Sequence, residues 1–208
     1  MIKLFIDTST GLLGLGLKVE GEVKKKISLN VRKNTAEQVL PLINEMLKEQ
    51  GLKFSQIDEM YLTPGPGSYT GERIGLTVAK TYAVLKPEVK LYLITSLKAL
   101  SLADRSVPVA ALLDARNNAY FAGFFKDGIR LVDEKRMEAI EVSEFAAENP
   151  GAKVIVSDGQ YEQLKNQLRG FDVEVGNIID LMLKNEGEFD RVENPLTMKP
   201  VYLRGQNA

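Results

Sequence analysis

Cysteine, histidine and tryptophan are all absent from the 208 residues. Without cysteine there is no disulfide framework and no thiol nucleophile. Without histidine there is no Ser-His-Asp or Cys-His machinery and no zinc finger. A metal would have to rest on carboxylates and carbonyls, a donor set that suits Mg²⁺ rather than Zn²⁺. An excess of one charge is missing too: 27 basic residues stand against 28 acidic ones. That balance argues against autonomous nucleic-acid binding, which usually shows a basic surplus on one face. No apolar run approaches the roughly 20 residues of a bilayer span. The opening Met-Ile-Lys-Leu-Phe-Ile-Asp reads as a strand and not as a signal peptide. A cytoplasmic protein with no membrane association is the expectation.

What is present is ordinary in bulk, with 44% hydrophobic and 26% charged residues, as in soluble globular proteins. The charge is uneven: 14 basic against 11 acidic residues up to Asp104, and 13 against 17 beyond it. The pattern of elements divides at the same place. Lys3 to Asp7 is an apolar strand, and Gly11 to Val19 with Glu22 to Asn30 forms a hairpin around Glu20-Gly21. Asn34 and Glu37 resemble a capping box opening a helix over Ala36 to Leu47, which Pro41 should bend or displace. A strand from Ile57 to Thr63, a Gly/Pro loop, a helix from about Glu72 to Lys86 and a strand at Leu91 to Ile94 follow.

The second half repeats that order, with strands near Val107 to Leu113, Tyr120 to Phe125 and Ile129 to Val132. A short helix at Ser143 to Glu148, a strand at Lys153 to Val156, a helix at Tyr161 to Leu168, a strand at Asp172 to Val175 and a helix at Asn177 to Lys184 complete it. Two similar α/β domains are expected, residues 1–104 and 105–208, with a cleft between them and the C-terminal segment returning to the first.

Three places carry candidate chemistry. Asp7-Thr8-Ser9-Thr10-Gly11 follows the first strand; Asp7 either holds hydrated Mg²⁺ beside phosphate-binding hydroxyls or closes an Asx turn. Asp114 occupies the equivalent place in the second half, and two carboxylates on one cleft suit metal-assisted phosphoryl transfer. The segment Thr63-Pro64-Gly65-Pro66-Gly67-Ser68-Tyr69-Thr70-Gly71-Glu72-Arg73-Ile74-Gly75 lies between a strand and a helix, where phosphate loops occur. It matches neither G-x-G-x-x-G nor a Walker A spacing, and two prolines remove donors. Its reading stays open between a ligand loop and a rigid connection. Apolar residues cover most of the following helix, so it is buried on more than one side, within its own domain or against another chain. Lys24-Lys25-Lys26 reads as a solvated strand edge.

The Gly65-Pro66-Gly67-Ser68-Tyr69-Thr70-Gly71 loop with Arg73 resembles the hallmark of the bacterial TsaB (YeaZ) family. Ile6-Asp7-Thr8-Ser9, Leu113-Asp114-Ala115-Arg116 with Tyr120, and Pro200-Val201-Tyr202-Leu203-Arg204 resemble its other motifs, so the likeness spans nearly the whole chain. It implies the actin-like ATPase (ribonuclease H-like) fold. It also implies a non-catalytic role in tRNA threonylcarbamoyladenosine (t6A) formation, as partner of the catalytic subunit TsaD, a Kae1-type protein, with the ATPase TsaE as a further subunit. TsaD holds its metal on an H-x-x-x-H pair, which a chain without histidine cannot supply.

Thr8 stands where strong ATP-binding relatives have Gly, so Asp7, Thr8, Ser9 and Asp114 are expected as vestigial phosphate-loop positions. No cofactor is expected on this chain alone, with ATP or ADP and Mg²⁺ at an interface with TsaD. tRNA is reached only through the complex. Leu40, Ile43, Leu47, Ile74, Val78 and Tyr82 are the candidate partner-facing positions, and a homodimer through the same helices is expected in the partner's absence. A stand-alone Mg-ATP phosphotransferase or ATPase using Asp7 and Asp114 is the rival reading, and a glycoprotease-like peptidase a weaker one.

Overall fold

The computed structural model describes residues 1–31 and 34–203; Arg204 of the C-terminal motif lies outside them. In the first half, β1 (Ile2–Asp7), β2 (Leu13–Val19) and β3 (Glu22–Leu29) form an antiparallel meander. Helix α1 (Thr35–Glu49), β4 (Glu59–Leu62), α2 (Tyr69–Leu85), β5 (Lys90–Leu93) and α3 (Ser96–Ser101) follow. The second half runs β6 (Pro108–Asp114), β7 (Ala119–Lys126), β8 (Ile129–Glu138), α4 (Ala139–Glu148), β9 (Lys153–Ser157), α5 (Tyr161–Leu164), β10 (Val173–Gly176) and α6 (Ile178–Lys184). A final strand, β11 (Asp190–Arg191), pairs antiparallel with β5.

The first sheet has the order β11-β5-β4-β1-β2-β3 and the second β10-β9-β6-β7-β8. In both, the first strand of the half pairs parallel with a later strand on one side and antiparallel with its hairpin partner on the other. Alternation within these central strands builds the layers, because successive side chains point to opposite faces. Leu4 and Ile6 of β1 join α1 and α2 in an outer core, while Phe5 faces the opposite core with α3 and α6. Val109, Ala111 and Leu113 of β6 reach that same central core, and Ala110 and Leu112 face α4. The order across the molecule is therefore helices, sheet, helices, sheet, helices. Strands buried on both faces are mostly apolar, and β1 and β6 carry their carboxylates only at their ends.

Several elements depart from the sequence expectation. Helix α1 runs through Pro41 without ending; Pro41 and Glu37 are both exposed, so the carbonyl that loses its amide donor is open to water. The expected Asn34–Glu37 capping box does not form, since Asn34 has φ −101° and ψ 17° and its side chain makes no cap bond. α2 starts three residues earlier than expected, and α5 is one turn where eight residues were expected. The six-residue α3, capped by Thr95, had no counterpart in the sequence reading.

The C-terminal segment closes over the first sheet: Gly14 and Gly16 leave room for Ile179 and Leu183 of α6. Glu186 accepts hydrogen bonds from Lys3 at 2.5 Å and from Lys18. β3 is a sheet edge, and Lys25 and Lys26 there pair with Glu49 and Asp180. Among the described residues no helix is long and apolar enough to cross a membrane.

Candidate functional site

The Gly/Pro loop is fitted onto the β1–β2 turn. Beyond β4 the chain passes Gly65 (φ +103°), the cis peptide Gly65-Pro66 and Gly67 before Ser68 caps α2 by accepting from the Gly71 amide at 3.3 Å. The Ser68 amide donates to the Ser9 carbonyl at 2.7 Å. The Thr8 hydroxyl donates to the Gly71 carbonyl at 2.6 Å and accepts from the Gly75 amide at 3.2 Å, bridging the two ends of one helical turn. A Cβ on Gly67 would stand 2.1 Å from the Ser9 carbonyl oxygen, and one on Gly71 1.8 Å from that of Thr8. Both glycines are there because two backbones touch.

Asp7 lies beneath this joint, 2% exposed. Its Oδ1 accepts from the Ser9 amide at 3.0 Å, the Ser9 hydroxyl at 2.7 Å and the Thr63 hydroxyl at 2.5 Å. Its Oδ2 accepts from the Thr10 hydroxyl. Ser9 also shares a 2.8 Å hydrogen bond with Ser96, whose amide donates to the Gly65 carbonyl. The chain's own donors thus fill the carboxylate. The second half reaches the same turn through Ser157, whose hydroxyl donates to the Thr10 carbonyl at 3.1 Å.

A polar cleft of about 730 Å³ opens between Gly11, Ser68, Asp114, Arg116 and Gln160. The Asp114 amide donates to Gln160 Oε1 at 2.7 Å, and its carboxylate accepts from the Arg116 amide at 2.8 Å with the Arg116 guanidinium 3.4 Å away. Asp7 is not on the cleft wall, so the pairing of Asp7 with Asp114 that the rival phosphotransferase reading needs is not made there. Asp7 is instead buried beneath the loop, its oxygens taken by Ser9, Thr10 and Thr63. A Mg-nucleotide held by Asp7 does not fit these residues. Among the described residues no three His, Cys, Asp or Glu side chains gather to hold a metal.

Glu72 lies in the first turn of α2 as expected, yet it points inward. It is 2% exposed, lies under Gly65, and one of its oxygens has no partner. Burial pushes its pKa up to about 7, opposed in part by the Gly67 amide and the Arg73 charge.

On the outer face, α1 and α2 leave an apolar groove of about 700 Å³, walled by Leu40, Phe54, Val78 and Leu85 with the Tyr82 ring. It continues past Leu40 and Val78 to Ile74, Arg73 and Tyr69. Leu40 is 45% exposed and Leu85 78%. Ile43 and Leu47, read from the sequence as partner-facing, are 0% and 1% exposed and belong to the core. Helical spacing marks an apolar stripe without saying how wide a sector the sheet covers. Tyr82 is also in the core; its hydroxyl donates to the Phe54 carbonyl at 2.8 Å and the Ile57 carbonyl at 3.1 Å. Ile74 and Val78 are half-buried. Phe54 and Leu85 were not among the positions expected from sequence to face a partner; Leu85, an apolar residue at the very end of the helix, was the available signal.

Two related sheets with helices on both faces, joined through the turns after β1 and β9, define an actin-like ATPase fold. A Bacteroides thetaiotaomicron protein with that fold and unknown function superposes with a TM-score of 0.50 at 11% identity, over 88% of this chain and 95% of that one. YeaZ from Pseudomonas aeruginosa superposes with a TM-score of 0.74 at 22% identity, covering 97% and 99%. The family model for TsaD, tRNA N6-adenosine threonylcarbamoyltransferase, matches residues 29–177. The tRNA threonylcarbamoyladenosine biosynthesis protein TsaB of Haemophilus influenzae is 25% identical over 222 residues, 98% of this chain and 93% of that protein. The chain belongs to the threonylcarbamoyltransferase family and, within it, to the TsaB (YeaZ) group.

Proposed function

We propose that this chain is a non-catalytic subunit of the machinery that forms threonylcarbamoyladenosine in tRNA, and that it acts by binding TsaD along the α1–α2 groove. One observation carries the reading. The surface offered to a partner is an apolar groove with Leu40 and Leu85 exposed, whereas Asp7, the carboxylate that phosphate chemistry would need, is occupied by the chain's own donors. An exposed apolar groove on one helical pair fits docking of a further helix. The missing histidine supports the same reading, because no H-x-x-x-H metal site can be built.

On this reading docking of the chain stabilises the competent conformation of TsaD and helps to recruit TsaE, and tRNA is met only by the assembled complex, in the cytoplasm. Any nucleotide and Mg²⁺ belong at the joint with TsaD and not on Asp7. Without TsaD the same groove serves a second copy of the chain.

Reconstitution tests this. With TsaD, TsaE, threonylcarbamoyl-adenylate and tRNA, modification is expected to depend on adding the chain and to fall at least tenfold with Leu40→Asp plus Leu85→Asp. Turnover of Mg-ATP by the isolated chain, abolished in Asp7→Asn, would overturn the proposal in favour of a phosphotransferase.

A further inference from the structure

Arg73 sits at the end of the groove nearest the start of α2, and the C-terminal segment returns to meet it. The Val201 amide donates to the Pro64 carbonyl at 2.9 Å, which lays Tyr202 beside Tyr69 with ring centroids 5.2 Å apart. The guanidinium lies 4.0 Å from the Tyr69 centroid and 5.9 Å from that of Tyr202. Its Nε donates to the Tyr202 hydroxyl at 2.9 Å and its Nη2 to the Tyr69 hydroxyl. Two rings and two hydroxyls therefore fix the plane of a side chain that is otherwise on the surface.

These partners are neutral. Among the described residues no carboxylate forms an ion pair with Arg73, and its Nη1 makes no hydrogen bond. Of the lysines on α2, Lys80 donates to the Leu196 carbonyl at 3.3 Å, and Lys86, at the far end of the helix, to the Ile57 carbonyl at 2.9 Å. A positioned guanidinium with its Nη edge open is suited to a carboxylate, which it can bind through two parallel N–H bonds. Tyr and Arg together at the end of an apolar groove also have the composition of an interface anchor.

We infer that Arg73, clamped between Tyr69 and Tyr202, is a specificity-determining contact for an acidic side chain on the partner helix that lies in the α1–α2 groove. This rests on the groove being the partner surface. A protein carboxylate is favoured over an RNA phosphate because Arg73 is continuous with Leu40, Ile74 and Val78. Tracking a phosphate backbone takes several cations set along it, whereas one positioned guanidinium at the end of an apolar groove suits a single carboxylate. The two tyrosines act as positioning residues: they hold the fork so that little freedom is lost on binding.

The test is the affinity of the full chain for purified TsaD at low and high salt, with thermal unfolding of each variant as a control for folding. Arg73→Gln is expected to weaken binding about tenfold at low salt, and Arg73→Glu about tenfold further through repulsion, with that second gap closing as salt screens it. Arg73→Lys should fall between wild type and Gln, because it keeps the charge and loses the planar fork. Equal losses for Gln and Glu at low salt would overturn the inference, leaving Arg73 a prop for the tail. So would unchanged affinity for TsaD combined with weaker tRNA binding by the complex, which would make Arg73 an RNA contact. Failure of the unaltered chain to bind TsaD at all would instead sink the partner reading on which the inference stands.

Discussion

Gly71 and Thr8 touch through their backbones: a Cβ on Gly71 would lie 1.8 Å from the Thr8 carbonyl oxygen. No side chain can move aside there, since both partners belong to the main chain. Gly71→Ala is expected to cost about 3 kcal/mol, seen as a fall in Tm of about 6–12 °C for a chain of this size. Gly187→Ala, where a Cβ meets nothing within 4 Å, should leave Tm unchanged. Equal Tm values for the two variants would remove the close approach as the cause.

The Thr8 hydroxyl bridges the Gly71 carbonyl and the Gly75 amide. Thr8→Val keeps the shape and leaves both groups facing a methyl. A loss of about 1–3 kcal/mol is expected in urea unfolding, with faster hydrogen exchange at the Gly75 amide. Wild-type exchange at that amide would show that the hydroxyl is not what holds it.

Asp7 serves as an internal acceptor for four donors. Asp7→Asn puts an amide donor among hydroxyls that already donate, and about 2–3 kcal/mol of stability should be lost. Millimolar Mg²⁺ should leave the wild-type Tm unchanged, because the chain already supplies the carboxylate's partners. A Tm that rises with Mg²⁺ in wild type and not in Asp7→Asn would restore Asp7 as a metal ligand.

Burial raises the Glu72 pKa from 4.5 to about 7, so the folded chain keeps this proton over a window in which the unfolded chain has lost it. Below about pH 4 both forms are protonated and the group has no effect on the balance. Between about pH 4.5 and 7 the folded form binds more protons than the unfolded one, so stability falls as pH rises and levels off above 7. The expected loss is on the order of 3 kcal/mol. Glu72→Gln, neutral at every pH, should remove this slope and gain on wild type as pH rises. Parallel stability curves for the two proteins from pH 4.5 to 7 would contradict it.

Much of the fold could be read from local pattern. The apolar strands of β1 and β6, each ending on a carboxylate, and the repeated meander gave the two related halves. The density of Gly and Pro from Pro64 to Gly71 marked a loop of specified shape, and the likeness to the TsaB family rested on it. Less could be read of the faces. α2 is apolar nearly all round, so Leu76, Ala79 and Ala83 facing the sheet and Val84 and Leu85 facing outward carry the same local signal. α3 is too short for a period to show, and Tyr202 gives no hint of its distant partner.

The amino-acid sequence by itself determined the excluded chemistries: a chain with no cysteine and no histidine has neither a thiol nucleophile nor a His-pair metal site in any fold. It also determined the order of elements, because periods of 2 and 3.6 are local. Only the tertiary structure decided that Asp7 is satisfied from within, that Ile43 and Leu47 are core, and that Tyr202 holds Arg73. Each of these depends on segments far apart in the chain, such as Thr8 with Gly71 or Arg73 with Tyr202. The close packing of sheet against helix and tail against loop brings them together, and composition and spacing carry no record of it.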